Sequence, residues 1–217
     1  MNYSRAQTAT WRPRSPLAGQ HIVDTTDLDG TIGVALVEQP WRPTLLVMAS
    51  AGQAQQAATT IAKIIDLPLP TRPARVANPH AAIVWSGPGQ WLVMSEEEDA
   101  ATHMIPGLAA ALADLASYSE QTDARVILRL SGPGSRRTLM KLVGIDVHPQ
   151  AFPVDAAAMT PVAHIPCHLW RLDDAAGHTV YEIAGPQSSA VSLWHAIVVA
   201  GSEFGLHARV AQPAVAK

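Results

Sequence analysis

The chain has 217 residues, of which 48% are apolar and 15% are charged, and its formal net charge is −3. A charged fraction well below the usual value of about 25% suggests that a partner covers part of the surface. Without a basic cluster, the weak negative charge argues against nucleic acid as a ligand. Cys167 is the single cysteine, so a disulfide framework and a cysteine-based metal cluster are excluded.

Neither end of the chain carries a targeting or spanning pattern. The N-terminus has positive residues without an apolar run behind them, unlike a secretory signal peptide. No apolar segment approaches the roughly 20 residues that cross a bilayer. Together with the lone cysteine, this predicts a protein of a reducing compartment, the cytoplasm, that does not bind a membrane.

Residues 1–20 lack hydrophobic periodicity and are interrupted by two prolines. One interpretation is a loose terminal tail. The other is an extended N-terminal arm, with residues 14–17 laid along another subunit. We predict an arm over 1–20, with the following candidate partner-binding residues: Trp11, Arg14, Pro16 and Leu17.

The first periodic unit predicts two strands, 31–38 and 44–49, on either side of a proline-flanked turn. A helix over about 52–66 follows, with an apolar stripe at helical spacing. Residues 67–79 contain several prolines and predict a loop, the best candidate for a linker between two lobes.

A hairpin is predicted next, with one strand at Ile83–Trp85 and its mate at Trp91–Met94, around Gly87-Pro88-Gly89. Ser95 is placed to cap the following helix, with Glu98 three residues later as in a capping box. A strand near 118–122 completes this part of the chain.

The central stretch reads as strand, turn, helix and stop. Val126 to Leu130 predict a buried strand, and Gly132 ends it. The helix that begins near Pro133 should close at Gly144 in a left-handed conformation. An alternative for the turn is an anion site at the helix N-terminus, but the motif lacks the Gly-Lys-Ser/Thr of a phosphate loop, and a structural turn is favoured.

Two further strands, at about 162–172 and 178–184, precede a helix over 188–200 that Gly201 should end. Residues 208–217 predict a flexible tail. The repeated strand–strand–helix units predict an α+β fold over 21–207, with antiparallel sheets and helices packed on one side.

Candidate chemistry is sparse. His164, Cys167 and His168 resemble metal ligands, but in a strand Cys167 would face away from the two histidines. His148 beside Asp146 could be a base oriented by a carboxylate, although satisfying loop backbone groups is the commoner use. Several tryptophans could stack on a flat ligand such as a pterin or serve as core anchors: Trp41, Trp85, Trp91, Trp170 and Trp194.

Four segments in order resemble the gamma subunit of heterotetrameric sarcosine oxidase. They are Arg14–Leu17, the hairpin Trp85–Leu92, the turn Leu130–Gly134, and Asp146–Phe152 after the helix. The resemblance implies a fold like that of the folate-binding aminomethyltransferases. It also implies a holoenzyme that oxidises sarcosine to glycine and hydrogen peroxide and passes the one-carbon unit to tetrahydrofolate.

In that family the partners are the alpha, beta and delta subunits, and the resemblance places FAD, FMN, NAD, zinc and tetrahydrofolate on them. It therefore implies no catalytic, cofactor-binding or metal residue for this chain. The competing hypothesis is a stand-alone folate-binding transferase, which would need a carboxylate facing the pterin. Asp123, Asp146 and Glu182 are the candidates for that carboxylate.

Overall fold

The computed structural model describes residues 14–96, 101–173 and 178–211. Within them the helices are Ala54–Ile65 (α1), Ala101–Ala111 (α2), Ser135–Met140 (α3) and Ala190–Gly201 (α4). The strands are Val23–Asp24 (β1), Val34–Glu38 (β2), Thr44–Ala49 (β3), Arg75–Ala77 (β4), Ala81–Gly87 (β5), Gln90–Ser95 (β6), Ala116–Glu120 (β7), Arg125–Ser131 (β8), Ala157–Val162 (β9), Ile165–Asp173 (β10), Thr179–Pro186 (β11) and Leu206–Arg209 (β12).

The strands form two sheets. A seven-stranded sheet has the order β1-β12-β2-β8-β11-β10-β9, and a five-stranded sheet has the order β4-β5-β6-β3-β7. Neighbouring strands are antiparallel except β12 and β2, which run parallel. The whole five-stranded sheet, from β3 to β7, is inserted in the chain between β2 and β8, which are themselves paired.

Helices cover one face of each sheet, and the other faces pack on each other. On β5, Ile83 points to the core beneath α1 and α2, whereas Val84 points to a cluster that includes Trp170 and Ala184 of the other sheet. A third core lies beneath α3 and α4 and contains Leu128 of β8. Because successive side chains of a strand point to opposite faces of the sheet, the residues of one strand alternate between two cores. The predicted α+β fold of antiparallel sheets with helices on one side is confirmed.

Two predicted turns are confirmed at glycines whose backbone has positive φ. The β5–β6 hairpin turns through Gly89 at φ +68°, and Gly132 follows β8 at φ +96°. A Cβ on Gly132 would lie 2.6 Å from the carbonyl oxygen of Gly33. Gly132 therefore needs both its left-handed backbone and its missing side chain, as a structural strand-to-helix turn requires.

The predicted linker 67–79 is not a linker. Its last part forms β4 at the edge of the five-stranded sheet, and Leu67 is buried in the core under α1. The Trp91 indole donates a hydrogen bond to the carbonyl oxygen of Pro70 at 2.9 Å. The chain instead passes between the two sheets at 39–43 and at 121–124, the segments that join β2 to β3 and β7 to β8.

Both predicted terminal boundaries move outward. Leu17 has no exposed surface and belongs to the core beneath α3 and α4. At the other end β12 runs to Arg209, with Ala208 also fully buried. The arm therefore joins the domain at residue 15 rather than 21. The tail prediction was wrong for residues 208 and 209, and residues 212–217 lie outside the described part of the chain.

Glu38 at the end of β2 ties the two terminal segments together. Its carboxylate accepts a hydrogen bond from the Ser15 hydroxyl at 2.6 Å and another from the Ala211 amide at 2.9 Å. Burial raises the pKa of the Glu38 carboxyl, and these two hydrogen bonds offset that only in part. The first and last described segments therefore meet at one buried group.

Two local predictions were wrong, and a third needs a different boundary. Ser95 is the last residue of β6 rather than a helix cap, and Glu98 lies outside the described residues. Gly144 is not among the residues with positive φ. The strand predicted at about 162–172 is confirmed as β10, Ile165–Asp173, but it starts later than predicted, because Ala163 and His164, at φ +49° and +68°, turn β9 into β10.

Replacing Leu17 with alanine tests the burial of the arm. Because the leucine is fully buried, Leu17→Ala should lower the free energy of unfolding by about 2–5 kcal/mol. The matched control is Leu28→Ala at a fully exposed leucine, where the change should stay within about 0.5 kcal/mol. Urea denaturation of both variants measures this, and equal stabilities would show that residues 15–20 do not belong to the fold.

Candidate functional site

A polar cluster lies between the two sheets, around Glu182 of β11. Strand alternation puts Glu182 on the same face as Ala184, within the cluster shared by both sheets, and its side chain is fully buried. Arg42 reaches it from the crossing segment with N–O distances of 3.0 and 3.1 Å. Arg129 of β8 contributes bonds of 2.6 and 3.0 Å, and the Trp170 indole donates one of 3.0 Å.

The charge state of Glu182 follows from this setting. Burial alone would raise the pKa of its carboxyl, but the charges of Arg42 and Arg129 and their hydrogen bonds outweigh burial and hold the pKa below its ordinary value. Both carboxylate oxygens already accept hydrogen bonds from the two arginines and the tryptophan. Glu182 is therefore suited to hold the sheets together and not to exchange protons or to bind a further polar ligand.

The cluster continues along the seam between the sheets. The Nε of Arg42 lies 3.5 Å from Glu96, and Glu96 also pairs with Arg75 of β4 at 3.1 Å. Arg75 in turn lies 3.4 Å from Asp155, which precedes β9. This chain of alternating charges links the crossing segment, the five-stranded sheet and the far edge of the seven-stranded sheet.

Ser86, His168 and Arg125 form a second polar group between the sheets. His168 Nε2 lies 2.9 Å from the Ser86 hydroxyl oxygen, and His168 Nδ1 lies 3.3 Å from Arg125 Nη1. A guanidinium can only donate, so Nδ1 is the acceptor and Nε2 carries the hydrogen. The imidazole therefore donates to Ser86 and cannot take its proton, which is the opposite of what a serine nucleophile needs.

His168 is buried and kept neutral. Burial, with a further contribution from the Arg125 charge, lowers the pKa of His168 from 6.5 to about 4. Arg125 has no carboxylate partner among the described residues, and its Nε has no hydrogen-bond partner there. It lines a small pocket with Arg42, Glu38 and Pro16 at one end of the seam.

The structure separates the histidines and cysteine that the sequence grouped as metal ligands. His164 lies exposed in the β9–β10 turn, and His168 lies between the sheets. Cys167 points to the opposite core, where burial raises the pKa of its thiol to about 11. No cluster of three or more His, Cys, Asp or Glu side chains suited to a metal ion occurs in the described ranges.

The three carboxylates considered as partners of a pterin lie in different surroundings. Asp123 is exposed in the turn before β8, and Asp146 is exposed and accepts the His148 amide hydrogen at 2.8 Å. His148 Nδ1 lies 3.3 Å from the Gln150 amide nitrogen, so this pair satisfies loop backbone groups as predicted. Because Glu182 is saturated, the residues present do not fit a folate group at this position.

The tryptophans and the Gly132 turn serve packing. Trp91, Trp170 and Trp194 are buried in the three cores, while Trp41 and Trp85 are half-buried. At the turn, the Gly134 amide donates to the carbonyl oxygen of Gly33 at 2.8 Å. The amide that an anion would use there already has a partner.

Of the residues predicted to bind a partner, Arg14 is exposed, Pro16 is half-buried and Leu17 is buried. Leu17 packs in the chain's own core, which corrects its assignment. Trp11 lies outside the described residues, so the partner-binding predictions for Trp11, Arg14 and Pro16 stay predictions. Sequence reasoning missed Arg42, because a lone arginine in a turn carries no periodic signal.

Removing the Glu182 charge tests the seam. In Glu182→Gln the charges of Arg42 and Arg129 lose their buried partner. Because Arg42 keeps Glu96 and the Arg129 side chain is 40% exposed, the free energy of unfolding at pH 7 should fall by about 1–3 kcal/mol. The control is Glu203→Gln at an exposed pair with Lys141, where the loss should stay below about 1 kcal/mol. Denaturant titration measures both, and a Glu182→Gln variant as stable as wild type would refute the structural role.

His168 should make stability depend on pH in a defined window. The unfolded chain binds a proton below pH 6.5, whereas folded His168 binds one only near pH 4, so its contribution is present above pH 6.5 and is lost as the pH falls. The loss should be on the order of 3 kcal/mol between pH 6.5 and pH 4. His168→Gln should remove this slope, and the same substitution at His195 on the outer helix should leave it as in wild type.

Comparisons with known proteins extend these observations. A family model described as the GCVT N-terminal domain matches residues 83–212. Sarcosine oxidase subunit gamma of Corynebacterium sp. (strain P-1) is 31% identical over 195 residues, which is 88% of this chain and 91% of that protein. The subunit gamma of Arthrobacter sp. is 31% identical over 160 residues, 73% of this chain and 76% of that protein.

Two solved structures share the fold. One is a chain of the heterotetrameric sarcosine oxidase from Corynebacterium sp. U-96 in complex with pyrrole 2-carboxylate, with TM-score 0.73, 27% identity, and coverage of 88% of this chain and 96% of that one. The other is glycine cleavage system aminomethyltransferase T from Bartonella henselae, with TM-score 0.60, 14% identity, and coverage of 90% and 58%. The second likeness concerns the fold alone. By sequence and by structure, the chain belongs to the sarcosine oxidase gamma-subunit family.

Proposed function

We propose that this chain is the non-catalytic gamma subunit of a heterotetrameric sarcosine oxidase. The observation that carries the proposal is the match along most of the chain to subunit gamma of such enzymes, in sequence and in structure. In the proposed complex the alpha, beta and delta subunits carry FAD, FMN, NAD, zinc and tetrahydrofolate. The holoenzyme oxidises sarcosine to glycine, releases hydrogen peroxide and passes the one-carbon unit to tetrahydrofolate.

The seam between the sheets supports a structural role for this subunit. Its polar side chains bind one another. Glu182 binds two arginines, and Glu96 pairs with Arg42 and Arg75. His168 is hydrogen-bonded to Ser86 and Arg125. A general base or nucleophile needs a free lone pair aimed at a substrate, and these groups direct theirs inward. The same geometry disfavours the alternative, a stand-alone folate-binding transferase.

The proposed location is the cytoplasm, in keeping with the single cysteine, Cys167. Among the described helices, none combines the length and apolar character that crossing a membrane requires.

The experiment is co-expression of this chain, tagged, with candidate alpha, beta and delta subunits from the same genome. The tagged chain should recover a complex that produces hydrogen peroxide from sarcosine. The isolated chain should carry no flavin absorbance after gel filtration and should oxidise no sarcosine. Flavin that stays with the isolated chain, or oxidation by it, would contradict the non-catalytic assignment, and recovery of no subunit would contradict the proposal as a whole.

Deleting residues 1–13, which contain Trp11, tests the predicted arm. Arg14 is the first described residue and Leu17 remains in the core, so the melting temperature should change little. Recovery of the alpha and beta subunits should decrease, because an arm that lies along a partner adds contact area. A deletion of residues 1–20 is the control that removes Leu17 and should lower the melting temperature. Equal recovery by full-length and 14–217 chains would show that the first residues are only a tail.

A further inference from the structure

The loop between β1 and β2 exposes more aliphatic surface than folding explains. Leu28 at its tip is 105% exposed, and Ile22 and Ile32 on either side are 61% and 53% exposed. Single exposed apolar side chains are common on protein surfaces, but three of this exposure within 11 residues of chain are an unusual concentration. The Leu28 side chain is available in full to another molecule.

The turn that presents Leu28 is held by its own hydrogen bonds. The Asp27 carboxylate accepts from the Asp29 amide at 3.0 Å, from the Thr31 amide at 2.8 Å and from the Thr31 hydroxyl at 2.6 Å. The Asp27 amide donates back to the carbonyl oxygen of Thr31 at 3.0 Å, and Gly30 supplies the left-handed residue at φ +78°. An aspartate that closes its own turn in this way gives the loop one preferred shape.

The base of the turn is fastened to the body of the domain. The Thr25 amide donates to the carbonyl oxygen of Leu206 at 2.8 Å, and the Leu206 amide donates to the Thr25 hydroxyl at 2.9 Å. Gly205 lies so close that an added Cβ would be 2.0 Å from the carbonyl oxygen of Thr31. Leu206 of β12 and the preceding Gly205 therefore fix the position of the loop, which projects from the domain as an ordered turn.

The charged residues of the loop itself, 25–33, are all negative. Asp27 and Asp29 flank Leu28, and the chain has no lysine or arginine between Arg14 and Arg42. The groove beside the loop contains Arg137, whose guanidinium lies 4.3 Å from the centre of the Phe204 ring. Leucine between two carboxylates is complementary to an apolar pocket with basic groups at its rim.

We propose that residues 27–31 form a preformed docking element, and that Leu28 inserts into an apolar pocket rimmed by lysine or arginine on a larger subunit of the oxidase. This inference rests on the proposed function, since it needs that complex. A side chain presented by an ordered turn loses little conformational entropy on binding. Most of the free energy gained by burying it therefore contributes to the affinity. An apolar side chain that fills a central pocket is the usual form of an interface hot spot.

The test uses the co-expressed complex and variants of the tagged chain. Leu28→Ser should weaken association with the partner subunits by about tenfold or more, measured as the dissociation constant in surface-binding experiments. Asp29→Asn should reduce the dependence of association on salt. Val199→Ser is the matched control, an aliphatic residue that is 76% exposed on α4 and should bind as wild type does. Each variant should keep the wild-type melting temperature.

Asp27→Ala separates the shape of the turn from its tip. It leaves Leu28 in place and removes the carboxylate that closes the turn, so association should weaken although the exposed side chain is unchanged. Equal affinity of Leu28→Ser and wild type would overturn the inference while the proposed function stands. Wild-type chain that recovers no subunit would overturn both. A self-association of the isolated chain that Leu28→Ser abolishes would assign the pocket to a second copy and overturn the choice of partner.

Discussion

The carboxylate of Glu182 is the most heavily hydrogen-bonded of the polar groups that lie between the two sheets. It lies on β11 of the larger sheet and is bound by Arg42, which stands where the chain leaves that sheet for the smaller one. A buried carboxylate without such partners would be driven to take up a proton, and Arg42 without it would keep only the more distant Glu96 as a counter-charge. Glu182 and Arg42 therefore stabilise each other's charge between the sheets. Their hydrogen bonds also fix the position of the crossing segment.

This ion pair lies where the chain crosses from the larger sheet to the smaller one. The five-stranded sheet is inserted between β2 and β8, so only the two crossing segments connect it covalently with the larger sheet. Arg42 lies in one crossing, and Arg125 begins the strand after the other. Apolar side chains such as Trp170 and Val84 bury surface between the sheets but tolerate several relative orientations of the two sheets. Hydrogen bonds to charged groups restrict that orientation, because their distances and angles are narrowly defined. Arg42–Glu182 and the hydrogen bond between Ser86 and His168 thus specify how the apolar faces meet.

Much of the fold could be predicted because its signals are local. The hairpin through Gly89 and the turn at Gly132 depend on backbone conformations that glycine supplies, and both follow from a few neighbouring residues. Arg42 and Glu182 are 140 residues apart, and neither carries a mark of its partner in the sequence. Leu17 was missed for a related reason: a single leucine among prolines and polar residues shows no periodicity, and its burial is decided by the core it meets.

The role of the candidate site was less visible than the fold. Serine, histidine and cysteine look alike in a sequence whether they act on a substrate or on one another. The hydrogen-bond direction at His168 is set by Arg125, which lies 43 residues away, and this partner changes a possible base into a donor. The family resemblance supplied what the individual residues could not, since it depends on the order of several weak motifs along the chain.

The hydrogen bonds of Glu38 to Ser15 and Ala211 bring the first and last described segments to the same place. A chain whose ends meet can be rewired without changing its contacts. A short flexible connection from Ala211 to Arg14, with new termini opened at the exposed turn around Gly52, would give a circular permutant that keeps both sheets and the ion pairs between them. It also means that labels fused at either terminus of the described fold would report on one and the same corner of the molecule.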